Sequence, residues 1–157
     1  MGLASVAGYA LRFHKSSKDG SGTATLMPAK DETVYGVLFE IAEDEQKLLD
    51  RAEGRGYGYD RDDAFAVRCL KTGKEIRAAT YLAAANAINA SLVPFDWYRA
   101  LVIAGATQHG LPDDYIATST GVAARPDPDL LRNGRRDPLA ALEAADFGHL
   151  LAPTQKV

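Results

Sequence analysis

The spacing of apolar residues changes character once, just before Glu43, and that change commits the chain to an architecture of both strands and helices. Upstream of it, large side chains alternate with small or polar ones, as in Gly8-Tyr9-Ala10-Leu11-Arg12-Phe13, the period-two pattern of a half-buried strand. His14 to Gly22 is polar and ends in glycines, which reads as a loop. Thr23-Ala24-Thr25-Leu26-Met27 reads as a second strand stopped by Pro28, Lys30-Asp31-Glu32 as a turn, and Val34 to Ile41 as the strongest strand of the chain. From there the pattern is helical. Glu43, Asp44 and Glu45 put negative charge where a helix dipole favours it, and Leu48, Leu49 and Ala52 supply a small apolar face. Gly54, Gly56 and Gly58 end that helix and open a loop rich in glycine and tyrosine.

Downstream, Phe65, Val67 and Cys69 alternate on one strand and Ile76, Ala78 and Thr80 on the next. Lys71-Thr72-Gly73-Lys74 between them predicts a hairpin turn with glycine at a positive-φ position. A second helix runs from Asp96 to His109 with Trp97, Leu101 and Ala104 on one side, and Gly110-Leu111-Pro112 stops it. Asp113 then caps a short turn containing Tyr115. From Gly121 to Asp137 proline, aspartate and arginine dominate, giving a mobile linker or a surface-hugging tail. Pro138 to Leu150 reads as a last helix with Pro138 at its first position. The predicted fold class is α+β: a small mixed or mostly antiparallel barrel or sheet with two main helices. A domain over residues 1–120 and a C-terminal extension over 121–157 are expected.

Composition narrows the function. Eighteen Lys and Arg against 21 Asp and Glu give a net charge of −3, without the basic excess that nucleic-acid binding shows. The single cysteine, Cys69, forms no internal disulfide and no thiolate cluster, and within its alternating set it reads as a buried, inert thiol. His14, His109 and His149 lack metal-ligand spacing. The apolar runs are shorter than the ~20 residues of a membrane span, and the first residues carry no signal-peptide pattern, so a cytoplasmic location is expected. Neither glycine-rich loop fits a phosphate-binding fingerprint. Arg132-Asn133-Gly134-Arg135-Arg136 reads as a solvated surface.

Several segments, taken in order, resemble the γ-glutamylcyclotransferase family in its AIG2-like branch. The resemblance rests on Gly8-Tyr9-Ala10-Leu11-Arg12-Phe13, the Lys15–Gly22 loop with Thr23-Ala24-Thr25, and Val34-Tyr35-Gly36-Val37-Leu38-Phe39. It continues through Leu49-Asp50-Arg51-Ala52-Glu53-Gly54, Gly58-Tyr59-Asp60-Arg61, Ala79-Thr80-Tyr81-Leu82 and His109 to Ile116. It implies an intramolecular reaction. The α-amine of a small γ-glutamyl amine or dipeptide attacks its own γ-carbonyl, closes 5-oxoproline, and expels an amine or amino acid. Ring closure gains from proximity, a carboxylate moves the protons, and no metal or organic cofactor is required.

By its place in the matching segment, Glu53 corresponds to the catalytic acid/base. Its position at a helix end gives an independent reason: the negative dipole end disfavours its charge and raises its pKa. The competing reading is an ordinary exposed helix-end carboxylate. Asp50, on the same helix face, is expected to serve structure by hydrogen-bonding backbone near the glycine loop. Tyr59 and Tyr57 follow in that loop as candidate substrate contacts, each also readable as packing, and Gly54 is the helix terminator that lets Glu53 project. Members of the family begin with a strand ending in a Tyr-Gly-Ser-Asn loop that holds the γ-glutamyl group, and no such motif precedes Gly8 here. The expectation is therefore an unpaired sheet edge covered by a second copy in a homodimer, or by the C-terminal segment. A non-catalytic ligand-binding or assembly module that has lost the substrate loop is the alternative to the enzyme.

Overall fold

Strand structure begins before the alternation at Gly8 announces it. A computed structural model of the chain describes residues 2–56 and 58–151, which fall into two compact units, one running to Leu92 and the other starting at Val93. The first unit holds β1 (Gly2–Ser16), β2 (Gly22–Leu38), α1 (Glu43–Ala52), β3 (Tyr59–Cys69) and β4 (Glu75–Ala83). The second holds α2 (Asp96–Gln108), α3 (Asp113–Thr120) and α4 (Asn133–Ala144).

The two strands expected on either side of Lys30-Asp31-Glu32 are one continuous strand. Its predicted turn survives as a bulge. Ala7 pairs with Thr33 and Tyr9 with Pro28, so four residues of β2 stand opposite Gly8 alone. Pro28 is tolerated because β2 is an edge strand, where a missing N–H breaks no ladder. The β1–β2 loop is tied by the Asp19 carboxylate, which accepts from the N–H and hydroxyl of Ser21. Gly22 leaves that loop so close to β1 that a Cβ there would lie 2.0 Å from the Phe13 carbonyl oxygen.

All three ladders are antiparallel, in the order β2-β1-β3-β4. The α+β class holds with the antiparallel alternative, and the barrel does not: β2 and β4 are both edges. Along β4, residues alternate between facing β3 and facing outward. Cys69 donates to the Lys74 carbonyl and Val67 pairs with Ile76, which turns the N–H and C=O of Glu75 and Arg77 away from β3. At the far end of β4 the outward Ala83 N–H donates to the Thr25 hydroxyl of β2 at 2.9 Å. A side chain, not a ladder, bridges the place where a barrel would close.

The ladder between β1 and β3 consists of Ala4–Cys69 and Ser5–Arg68. Beyond these pairs no ladder joins the two strands, and the rings of Tyr9 and Phe65 meet edge to face at 5.3 Å. A cavity of about 150 Å³ lies among all four strands, bordered by Ala4, Leu26, Val34, Phe65, Val67 and Ala78.

In the second unit, Ala100 and Ala104 of α2 let Leu142 of α4 pack close, with Leu101, Phe147 and Leu150 around them. α2 ends as the glycine and proline predict: Gly110 and Leu111 donate to the carbonyls of Thr107 and Ala106, a Schellman closure. Asp113 lies inside the first turn of α3 rather than capping it, and α4 begins at Asn133, five residues before Pro138. α4 is thus the expected last helix with an earlier start, and α3 stands where the sequence predicts a short turn. Pro138 sits inside α4 and has no N–H to offer the Gly134 carbonyl.

Of the two readings of the 121–137 segment, the structure gives the anchored one. Arg125 exchanges backbone bonds with Pro94 and Asp96, and the guanidinium groups of Arg125 and Arg132 lie 4.8 and 5.1 Å from the buried Phe95 ring. Asp127 is buried and accepts from Trp97 Nε1 at 3.0 Å, from Arg132 at 2.7 and 2.9 Å, and from the Asp129 N–H. Among the described residues no helix is long and apolar enough to cross a membrane.

Burial pushes the Asp127 carboxyl up, but the bonds from Arg132, Trp97 and Asp129 outweigh it and hold the pKa down to about 2. A depressed folded-state pKa contributes stability above the ordinary aspartate value, and that contribution is lost as pH falls through the folded value. Asp127→Asn, which leaves Arg132 without its buried partner, is expected to cost roughly 3 kcal/mol at neutral pH. Denaturant titrations should show that deficit shrinking as the pH falls toward 2.

Candidate active site

An isolated ten-residue helix is marginal in water, and α1 has no buried residue. What fixes it is its ends. The Glu45 carboxylate accepts from the Ala42 N–H at 2.9 Å, half of a capping box. The C-terminus closes as a Schellman motif: Gly54 donates to the Arg51 carbonyl and Arg55 to that of Asp50. Gly54 takes φ +62° there, a conformation strained for any residue with a Cβ. The surface pair Lys47–Glu43 at 3.9 Å adds only tenths of a kcal/mol and decides nothing.

Asp50 ties this helix to the sheet. Its carboxylate accepts from the Tyr81 hydroxyl of β4 at 2.6 Å, from Arg61 of β3 at 2.7 and 2.8 Å, and from Arg55 at 3.1 Å. The Tyr81 bond first, then Arg61 and Arg55, hold its pKa below the ordinary value against the effect of burial. Arg61 is paired in turn with Asp63 at 2.7 Å. Asp50 is thus structural, but its partners are side chains from two distant strands rather than the nearby backbone.

One helical turn on, Glu53 occupies the C-cap, its N–H donating to the Leu49 carbonyl. The residue is half-buried, and its carboxylate makes no hydrogen bond or ion pair within 4 Å among the described residues. Burial raises its pKa, and the Lys15 ammonium pulls it back down. Lys15 is the residue that sequence reasoning missed. It leaves the end of β1, and its Nζ lies 5.0 Å from the centroid of the Tyr59 ring, a cation–π distance. A Cβ on Gly58 would sit 3.4 Å from that Nζ and 3.3 Å from the Glu53 carbonyl oxygen, so glycine at 58 lets these groups share one corner.

Tyr59 is buried, and its hydroxyl donates to the Ala24 carbonyl at 2.7 Å beside the Thr23 hydroxyl at 3.2 Å. The structure thus brings together Glu53, Gly54, Lys15 and the Tyr59 ring, with the phenol oxygen directed into the fold. Tyr57 lies outside the described residues. Cys69 is half-buried at the hairpin end, its pKa lowered by the Thr72 side chain, then by the backbone of Thr72 and Lys71. It borders a groove of about 800 Å³ between α1, the end of β2 and β4. Neither this groove nor the inter-strand cavity is lined by Glu53.

A model of the AIG2-like family matches residues 33–118, more than half of the chain. Among solved structures, a protein described as gamma-glutamyl cyclotransferase superposes with a TM-score of 0.77 at 21% identity, over 90% of this chain and 84% of that one. The uncharacterized protein loc79017 from Homo sapiens gives 0.75 at 22% identity, over 89% and 83%. YkqA from Bacillus subtilis gives 0.61 at 19%, over 78% and 45%. At these identities the neighbours establish the fold. No curated protein matches the chain.

A carboxyl whose pKa rises on folding opposes stability once the pH exceeds its folded value, because its charge is better solvated in the unfolded chain. Glu53→Gln is therefore expected to raise the melting temperature at neutral pH, and the gain should vanish in acid, where the wild-type side chain is itself neutral. Thermal melts at the two pH values check this.

Proposed function

The chain belongs to the AIG2-like family, and on that premise we propose that it is a γ-glutamylcyclotransferase-like enzyme acting on a small γ-glutamyl amine or dipeptide. The observation that carries the reading is the half-buried carboxylate of Glu53, without a hydrogen-bond or ion-pair partner among the described residues, at a rigidly terminated helix end with an ammonium beside it. The gamma-glutamyl cyclotransferase among the structural neighbours supports it.

In the proposed reaction the α-nitrogen of the γ-glutamyl group attacks its own γ-carbonyl carbon. One C–N bond forms, closing the five-membered lactam. The proton shed by the attacking nitrogen passes to the Glu53 carboxylate, and Glu53 returns it to the leaving nitrogen as the original amide C–N bond breaks. The products are 5-oxoproline and a free amine or amino acid, with no water consumed. A base of this kind works best with a pKa near the operating pH, and burial moves Glu53 in that direction. Lys15 is suited to the α-carboxylate that every γ-glutamyl compound carries, and the Tyr59 ring holds it in place. Gly54 fixes the backbone from which Glu53 projects.

One observation favours the alternative, a binding module without catalysis: the Tyr59 phenol is committed to Ala24 rather than offered to a ligand. Incubation with a panel of γ-glutamyl dipeptides and amines, read as 5-oxoproline release, separates the two. The enzyme reading expects turnover that Glu53→Gln lowers at least ~10²-fold. Saturable binding of the same compounds without turnover would support the module instead.

Lys15 gives a second test. Removing its charge takes away the influence that opposes burial at Glu53, so Lys15→Met should move the acid limb of the pH–rate profile to higher pH and raise KM. Lys15→Arg should restore both in large part.

A further inference from the structure

We propose that the open edge of β4 is a self-pairing surface, on which a second copy of this chain docks antiparallel, with the two β4 strands related by a two-fold axis at Ile76. The hydrogen-bonding pattern sets this out. β4 is an edge strand, and its pairing with β3 turns the N–H and C=O of Glu75 and Arg77 outward. Unpaired outward groups of this kind are a template for another strand.

Charge then selects the register. Glu75 and Arg77 are both 63% exposed, and within one chain they pair along the strand at 2.9 Å. A two-fold axis through Ile76 sets Glu75 of each copy directly opposite Arg77 of the other, with the outward backbone groups of both residues forming the hydrogen-bonded pair. Shifting the axis to Arg77 would place two arginines face to face, and like charges directly opposite are destabilising. The intrachain pair of each copy is exchanged for an interchain pair, two for two, so no charge is stranded. The charges set the register, while the backbone bonds and apolar contact supply the attraction.

The other face of the strand fits the same axis. Ile76, 39% exposed, points toward the groove that Phe39 and Ile41 also border, at 60% and 47% exposure. The two-fold sets the two Ile76 side chains against each other over that apolar floor. At its opposite end β4 is already engaged through the Ala83–Thr25 bond, which confines the pairing to the stretch around residues 74–78.

Sedimentation velocity with light scattering over a concentration series tests the proposal, with circular dichroism confirming that each variant folds. The wild type is expected to dimerise reversibly. Arg77→Glu should weaken the dimer roughly ten-fold, and the doubly reversed E75R/R77E should recover it, because opposite charges face each other again. Arg77→Pro, which removes an outward N–H without touching the β3 ladder, should abolish it. A wild type that stays monomeric throughout the series overturns the proposal. So does a dimer indifferent to Arg77→Glu, which would have to use another surface.

Discussion

The Asp50 carboxylate is the constraint on which the placement of everything around the candidate site depends. α1 buries none of its residues, so apolar burial does not explain its position. A single acidic group receiving bonds from Tyr81, Arg61 and Arg55 joins the last turn of the helix to two strands and to the following loop. With that turn fixed and closed by Gly54, the direction in which Glu53 leaves the helix is no longer free. The low pKa of Asp50 and the raised pKa of Glu53 have one origin: two carboxylates a helical turn apart, one surrounded by donors and the other half-buried without them. Two neighbouring carboxyl groups are thus pushed in opposite directions by their surroundings.

Much of this arrangement is legible from local sequence because its causes are local. The acidic first turn and the Gly54 stop of α1, the Lys71–Lys74 hairpin and the Gly110 stop of α2 each depend on residues a few positions apart. What sequence does not disclose is set by partners far along the chain. Lys15 reads as part of a polar loop until β1 and the glycine-rich loop are brought together, and Asp50 reads as a backbone cap until β3 and β4 supply Arg61 and Tyr81. Pro28 and the charged Lys30-Asp31-Glu32 look like the end of a strand. Only the knowledge that β2 is an edge explains why the strand runs on past them with a bulge. Likewise Asp127 sits in a segment whose composition reads as linker, and it is the indole of Trp97 and the guanidinium of Arg132 that make it an anchor.

The resemblance read from scattered motifs and the match over residues 33–118 agree on the family, and the neighbours agree on the fold. The sheet adds what neither conveys. Its two edges approach without joining, and one side-chain bond from Thr25 stands where a ladder would otherwise run. A cavity lies among the four strands, and Phe39, Ile41 and Ile76 stay exposed along the separate groove between α1, β2 and β4.

The meagre junction between β1 and β3 carries a consequence for how the chain moves. Two ladder pairs, the Tyr9–Phe65 ring contact and the Tyr59–Ala24 and Ala83–Thr25 bonds are among the contacts that join the hairpin of β1 with β2 to that of β3 with β4. Cooperative units of partial unfolding tend to follow such divisions. Amide protons deep in either hairpin are accordingly expected to be shielded by their own partner strand, and those of the short β1–β3 ladder to exchange sooner. α1 is fastened to β3 and β4 through Arg61 and Tyr81, while Lys15 belongs to β1 and lies against the Tyr59 ring of β3. The corner that holds the Lys15 ammonium and Glu53 is thus built across the boundary between the two hairpins.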